Sequence, residues 1–157
     1  MLSSIPKPLH LISGKPMLQW VIDANTSAGI KKSIIVVSHE FDKLDTNNKE
    51  LIKAIQKKPL GTGDAVRKAI PLLNNFEGAV LICFVDTPFI TSKTLKKIVR
   101  SLNKGNDLVL TGFKKSEKNK YGKIIFDNHK KPLEILEYKD AKRKKVNSNF
   151  CNGGIMG

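Results

Sequence analysis

The chain has 157 residues, 40% of them hydrophobic, which suffices for one domain with a buried core, and no apolar run approaches the roughly 18 residues of a membrane-spanning helix. Lys and Arg total 28 against 14 Asp and Glu, a formal net charge of +14 that brings polyanions into view. Nucleic acid is nevertheless not the favoured partner: the only arginines are Arg67, Arg100 and Arg143, and no aromatic interleaves the densest basic run, Lys139 to Lys145, as base stacking requires.

In chain order, Pro16 and the apolar positions Met17, Leu18, Val21, Ile22 and Ala24 predict a helix of three to four turns stopped by Gly29. Ser33–Ser38 is a continuous β-branched run and predicts a strand covered on both faces. The stretch from Asn47 to Lys57 fits either a helix or a short strand over Ile52–Gln56. Leu60-Gly-Thr-Gly-Asp64 opens a helical pattern that ends near Pro71. Residues 78–84 read as a second buried strand ending at Val85-Asp86-Thr87-Pro88, and Thr91 or Ser92 caps a helix carrying Leu95, Ile98, Val99 and Leu102. Residues 107–112 read as a third strand. After a polar loop, residues 123–127 and 133–137 form a hairpin-like pair. The alternation predicts an α/β fold with a parallel sheet and a β-rich tail.

Cys83 and Cys151 lack any Cys-x-x-Cys spacing and read as buried free thiols; His10 and His129 have no metal-site spacing. With no signal peptide recognisable, a cytoplasmic protein is expected. The residues with chemical potential each carry two readings. Gly61-Thr62-Gly63 can admit a ligand to the backbone or make a tight turn. Asp86 follows a strand, where a carboxylate can hold Mg²⁺ against phosphates or cap a turn. Lys7, between Pro6 and Pro8, can neutralise a triphosphate or be solvated. Glu137 and Asp140 can bond sugar hydroxyls or end a strand, and Lys139 to Lys145 can attract an anion or form a solvated loop.

The order of IPKPLHLISGKPML, LGTGDAV, FVDTPFI, YGKIIF, ILEYKDA and CNGGI resembles the uridylyltransferase domain of the bacterial bifunctional N-acetylglucosamine-1-phosphate uridyltransferase family. The resemblance implies a Rossmann-like nucleotidyltransferase, a three-layer α/β sandwich with a mostly parallel sheet. It also implies Mg²⁺ as cofactor, UTP and N-acetylglucosamine 1-phosphate as substrates, and a place in cell-wall precursor synthesis. Position by position, Lys7 matches the lysine that contacts the nucleotide phosphates, and Asp86 matches the Mg²⁺-binding aspartate. Gln56, Gly61 and Thr62 match residues that recognise uracil, while Gly122, Glu137 and Asn152 match residues that line the sugar pocket.

Several departures accompany these matches. Met1 aligns with the methionine that closes the family's glycine-rich phosphate loop, so the first strand and that loop are expected to be missing. The chain stops at Gly157, ahead of the second Mg²⁺ ligand and of the acetyltransferase half. Residues 1–157 are thus expected to be a partial nucleotidyltransferase domain, inactive alone, whose parent self-associates through regions it lacks. Val85 replaces a glycine ahead of the metal aspartate, Pro59 a glutamine, and Asp64 a histidine. Two other readings stay open: a transferase for another sugar or base, and a non-catalytic remnant that binds a nucleotide sugar or polyanion.

Overall fold

A computed structural model describes residues 5–38, 51–115, 119–143 and 148–157. A 3₁₀ turn at Lys7–Leu9 leads into a two-residue hairpin, β1 (Leu11–Ile12) and β2 (Lys15–Pro16). Ser13 and Gly14 form its tip with φ of 50° and 77°, the left-handed pair that matches the twist of a tight hairpin. Helix α1 (Met17–Ala28) then runs to Gly29, whose φ of 90° closes it as the sequence predicts.

β3 (Ser33–Ser38) pairs in parallel with β4 (Leu51–Gln56), so the ambiguous stretch resolves to a strand over these residues; 47–50 lie outside the described residues. The register sets Ser38 opposite Gln56 at the carboxyl ends of both strands. α2 (Thr62–Ala69) follows and tightens into a 3₁₀ turn at Ile70–Leu73, where Pro71 cannot donate to an α-helical ladder. α3 (Ser92–Leu102) is capped by Thr91, whose hydroxyl accepts the Thr94 N–H at 3.2 Å.

The remaining strands, β5 (Leu110–Lys114), β6 (Lys123–Phe126), β7 (Pro132–Leu136) and β8 (Phe150–Met156), form one sheet in the order β5-β8-β6-β7. The hairpin of β6 and β7 is the predicted one. α4 (Tyr138–Arg143) carries the start of the basic run, whose end at 144–145 lies outside the described residues.

Three sequence expectations change. Residues 78–84 do not form a strand: Ile82 makes a single two-bond bridge to Met156, at 2.8 and 3.2 Å, and no other described strand pairs with this segment. Its apolar character is spent on packing, because Leu81 and Cys83 lie against the core formed by Leu95, Ile98 and Ile155. The third strand begins at Leu110 rather than Asp107: Leu108 is exposed, and Val109 exchanges both its backbone bonds with Gly157. Parallel pairing, expected to dominate, is confined to β3 and β4 among the described residues, and the four-stranded sheet is antiparallel throughout.

The core joins α1 and α3 to β8. Leu95 and Ile155 are almost wholly buried, with Ala24, Ala28, Ile90 and Leu102 packed around them. This packing holds the 79–85 segment against β8 and so fixes where Asp86 emerges. Among the described residues no helix is long and apolar enough to cross a membrane.

Candidate functional site

The sequence-predicted residues fall into three groups. In the first, Lys7 Nζ lies 3.0 Å from Asp86 Oδ2, a contact across 79 residues of chain. Asp86 sits in a turn in which the Thr87 N–H and hydroxyl both bond to the Phe84 carbonyl, at 3.1 and 2.7 Å, with Pro88 buried behind. Asp86 therefore caps no helix, since Thr91 caps α3. Lys7 is presented by the 3₁₀ turn whose φ angles the flanking prolines help set. The side chains are 48% and 50% exposed, so a ligand can reach and separate them. At that exposure the pair adds little to stability.

In the second group, Gln56 ends β4 and its Nε2 donates to the Gly61 carbonyl at 3.1 Å and to Asp64 Oδ2 at 2.8 Å. Gly61 has φ of 112°, a conformation that favours glycine, and precedes α2; no side chain caps that helix. Thr62 is its first residue. The structure shows the tight-turn reading of Gly61-Thr62-Gly63, with Gly61 turning the chain into a helix that no side chain caps.

In the third group, the Asn152 N–H bonds to the Gly122 carbonyl at 2.8 Å, and a Cβ placed on Gly122 would lie 3.5 Å from Glu137 Oε1. β6, β7 and β8 meet here, so the sheet brings together three positions spread over 31 residues of chain. Asn152 also accepts the Gly154 N–H at 3.0 Å, which holds its amide carbonyl inward.

No hydrogen bond joins one group to another among the described residues. Two cavities adjoin the first group. One, of about 350 Å³, is lined by Asp86, Thr87, Phe89, Thr111, Phe113 and Gly153, the last beside Asn152. The other, of about 200 Å³, lies between Pro6, Pro8, Ile35, Ser38 and Val85. Val85, which occupies a family glycine position, faces this apolar space. Asp140 lies on α4, two residues into that helix, rather than at a strand end.

Sequence reasoning did not single out Thr111, whose hydroxyl donates to the Ile155 carbonyl at 2.8 Å and accepts the Ile155 N–H at 3.2 Å. No local signal marks it; its role arises only from the pairing of β5 with β8. Lys15 is a second omission: it bonds Asp23 at 2.6 Å while its ammonium sits 4.3 Å from the Trp20 ring centroid. The Lys15 hydrogen bond, supported by Gln19, lowers the Asp23 pKa below 3.8. Burial pushes the Cys83 thiol up to about 11, and both cysteines are free, as expected.

Among the described residues no three His, Cys, Asp or Glu side chains gather to hold a metal. One half-exposed carboxylate suits a divalent cation only in the mode Mg²⁺ adopts with phosphates, in which substrate oxygens and water complete the shell. Asp86 fits that mode.

Comparison with known proteins identifies the family and the fold. The MobA-like NTP transferase domain profile matches residues 1–145. The chain is 38% identical over 160 residues to the bifunctional protein GlmU of Parvibaculum lavamentivorans, and 39% identical over 157 residues to that of Caldanaerobacter subterraneus subsp. tengcongensis. Each alignment covers 99% of this chain but only 35% and 34% of those proteins. A solved UDP-glucose pyrophosphorylase complexed with UDP-glucose superposes with a TM-score of 0.79 at 20% identity, covering 97% of this chain and 67% of that one. HddC from Yersinia pseudotuberculosis, complexed with GMP-PN, superposes at 0.72 with 24% identity, covering 98% and 67%. These superpositions establish the nucleotidyltransferase fold.

Proposed function

Because the chain belongs to the MobA-like NTP transferase family, we propose that residues 1–157 are nucleotidyltransferase domain sequence that handles UTP and N-acetylglucosamine 1-phosphate. The reaction is attack of the sugar-phosphate oxygen on the α-phosphorus of UTP, giving UDP-N-acetylglucosamine and pyrophosphate for cell-wall precursor synthesis in the cytoplasm. GlmU relatives that cover nearly all of this chain support the pairing of substrates.

The observation that carries the reading is the contact of Lys7 with Asp86 beside the carboxyl end of β3. Phosphoryl transfer asks for placement and charge neutralisation rather than covalent help. Lys7 supplies one cation for the phosphates, and its half-exposed contact with Asp86 supports an exchange in which a phosphate replaces the carboxylate as its partner. Mg²⁺, held by Asp86, supplies further neutralisation of phosphate charge when bound. Gln56, Gly61 and Thr62 orient the base, and Gly122, Glu137 and Asn152 orient the sugar. Glu137 is exposed and accepts hydrogen bonds from sugar hydroxyls, with Gly122 beside it.

The test is calorimetric binding of UDP-N-acetylglucosamine and UDP-glucose to the purified protein and to its Lys7→Ala variant. Binding of UDP-N-acetylglucosamine that weakens about tenfold or more in Lys7→Ala is expected, the size of a lost charge-assisted bond. Equal affinity for UDP-glucose would refute the sugar assignment. Absence of binding to either nucleotide sugar would refute the reading as a whole, and salt-sensitive nucleic-acid binding in its place would favour the non-catalytic alternative.

A further inference from the structure

We propose that Asp64 is a positioning residue: it fixes the side-chain amide of Gln56 so that only the carbonyl oxygen remains for the nucleobase, and the site thereby selects a pyrimidine bearing an imide N–H. The inference rests on the nucleotidyl-transfer reading for its ligand, but its structural half stands on the geometry alone.

Gln56 Nε2 meets two oxygens, the Gly61 carbonyl at 3.1 Å and Asp64 Oδ2 at 2.8 Å. A carbonyl and an ionised carboxylate only accept, so both demand the NH₂ end of the amide, which has two protons to give. A flipped Gln56 would set its own oxygen against both acceptors and lose both bonds. The amide orientation is therefore dictated by its partners. Oε1, at the other end, accepts no hydrogen bond among the described residues.

Asp64 is in turn held. It lies in the first turn of α2, where a negative charge suits the helix end, its side chain is only 16% exposed, and Lys68 Nζ stands 3.7 Å from Oδ1 one turn later. Gly61 links the parts: its carbonyl takes one Gln56 proton, and its φ of 112° starts the helix that carries Asp64. Strand end, glycine turn and helix start thus form one small rigid frame with a single acceptor left over.

An acceptor at this place discriminates between bases by the proton at ring position 3. Uracil carries N3–H and donates to Oε1. Cytosine presents an unprotonated N3 there, so two acceptors would face each other. Without Asp64 only the Gly61 carbonyl holds the amide, so turning the NH₂ outward costs one bond instead of two and Gln56 accommodates either base more readily.

The experiment measures calorimetric binding of UTP, CTP and N3-methyl-UTP to the protein and to its Asp64→Ala and Asp64→Asn variants, with hydrogen exchange of the Gln56 side-chain amide followed by NMR. The protein is expected to prefer UTP over CTP and over N3-methyl-UTP. Asp64→Ala should lower the UTP-to-CTP ratio about tenfold, the size of a lost charge-assisted bond, and speed Gln56 amide exchange. Asp64→Asn, whose carbonyl can still accept, should retain most of the ratio and confirm that any loss in Asp64→Ala is not unfolding. An unchanged ratio in Asp64→Ala, or N3-methyl-UTP binding as well as UTP, would overturn base selection. Equal Gln56 exchange in the protein and in Asp64→Ala would overturn the positioning role. Fast loss of both amide protons in the protein itself does the same. Failure of every nucleotide to bind, with Gln56 protected, would overturn the nucleotide reading and the base selection with it, leaving only the frame.

Discussion

Replacing Gly153 by alanine should destabilise the fold and disturb the sugar side of the site, whereas the same change at Gly63 should stabilise it. A Cβ on Gly153 would lie 2.7 Å from Thr111 Oγ1 and 3.1 Å from both the Thr111 Cβ and its carbonyl oxygen, closer than these atoms tolerate. Thr111 cannot simply rotate away, because its hydroxyl makes both bonds to Ile155, at 2.8 and 3.2 Å. Relief requires β5 and β8 to move apart or one of those bonds to break. Forced repacking costs about 1–3 kcal/mol and a lost hydrogen bond about 0.5–1.5, so a loss of about 2–4 kcal/mol is expected. Gly63 has nothing within 4 Å of its added Cβ and lies inside the α2 span, so alanine there should gain about 0.4–1 kcal/mol by restricting the unfolded chain. Urea denaturation followed by circular dichroism measures both. If Gly153→Ala unfolds within about 0.5 kcal/mol of the parent protein, the close packing of β5 on β8 and the role assigned to Thr111 are wrong. Since Asn152 adjoins Gly153, the same variant should lose affinity for UDP-N-acetylglucosamine.

The Cys83 thiol, raised to about 11 by burial, should be roughly one part in a thousand ionised at pH 8 and so alkylate far more slowly than a free thiol; iodoacetamide labelling at the rate of free cysteine would contradict its burial. The Asp23 pKa is lowered in the fold, so the stability it contributes is complete above the ordinary value of 3.8 and is lost as pH falls through the depressed folded value. Unfolding free energies of the parent and Asp23→Asn proteins, from urea denaturation, should differ by at most about 1 kcal/mol near neutrality, given the exposure of the pair, and converge in acid; a difference that grows on acidification would refute the ion pair. The Lys7→Ala variant should separate function from stability, with affinity for UDP-N-acetylglucosamine lowered while the unfolding free energy from urea denaturation changes by less than about 1 kcal/mol.

What the amino-acid order determined by itself is local. Gly29 ends α1, Thr91 caps α3, the β6–β7 hairpin forms, and Gly61 opens α2, because each depends on backbone preferences or on bonds within a few residues. The motifs also named Lys7, Gln56, Asp86, Gly122 and Asn152 before any contact was visible. Tertiary structure alone decided what these residues meet. Residues 78–84 have a strand's composition, yet a strand requires a ladder, and among the described residues the segment makes a single bridge, from Ile82 to Met156. The contact of Lys7 with Asp86 depends on α1 and α3 packing the 79–85 segment in place. Asp64, a departure from the family motif in the sequence, becomes a partner of Gln56 once the β4-to-α2 turn folds. Thr111 carries no signal at all until β8 lies beside β5. Short-range preferences fix which elements begin and end where; the bonds that make a site run between elements, and their partners are chosen only when the core closes.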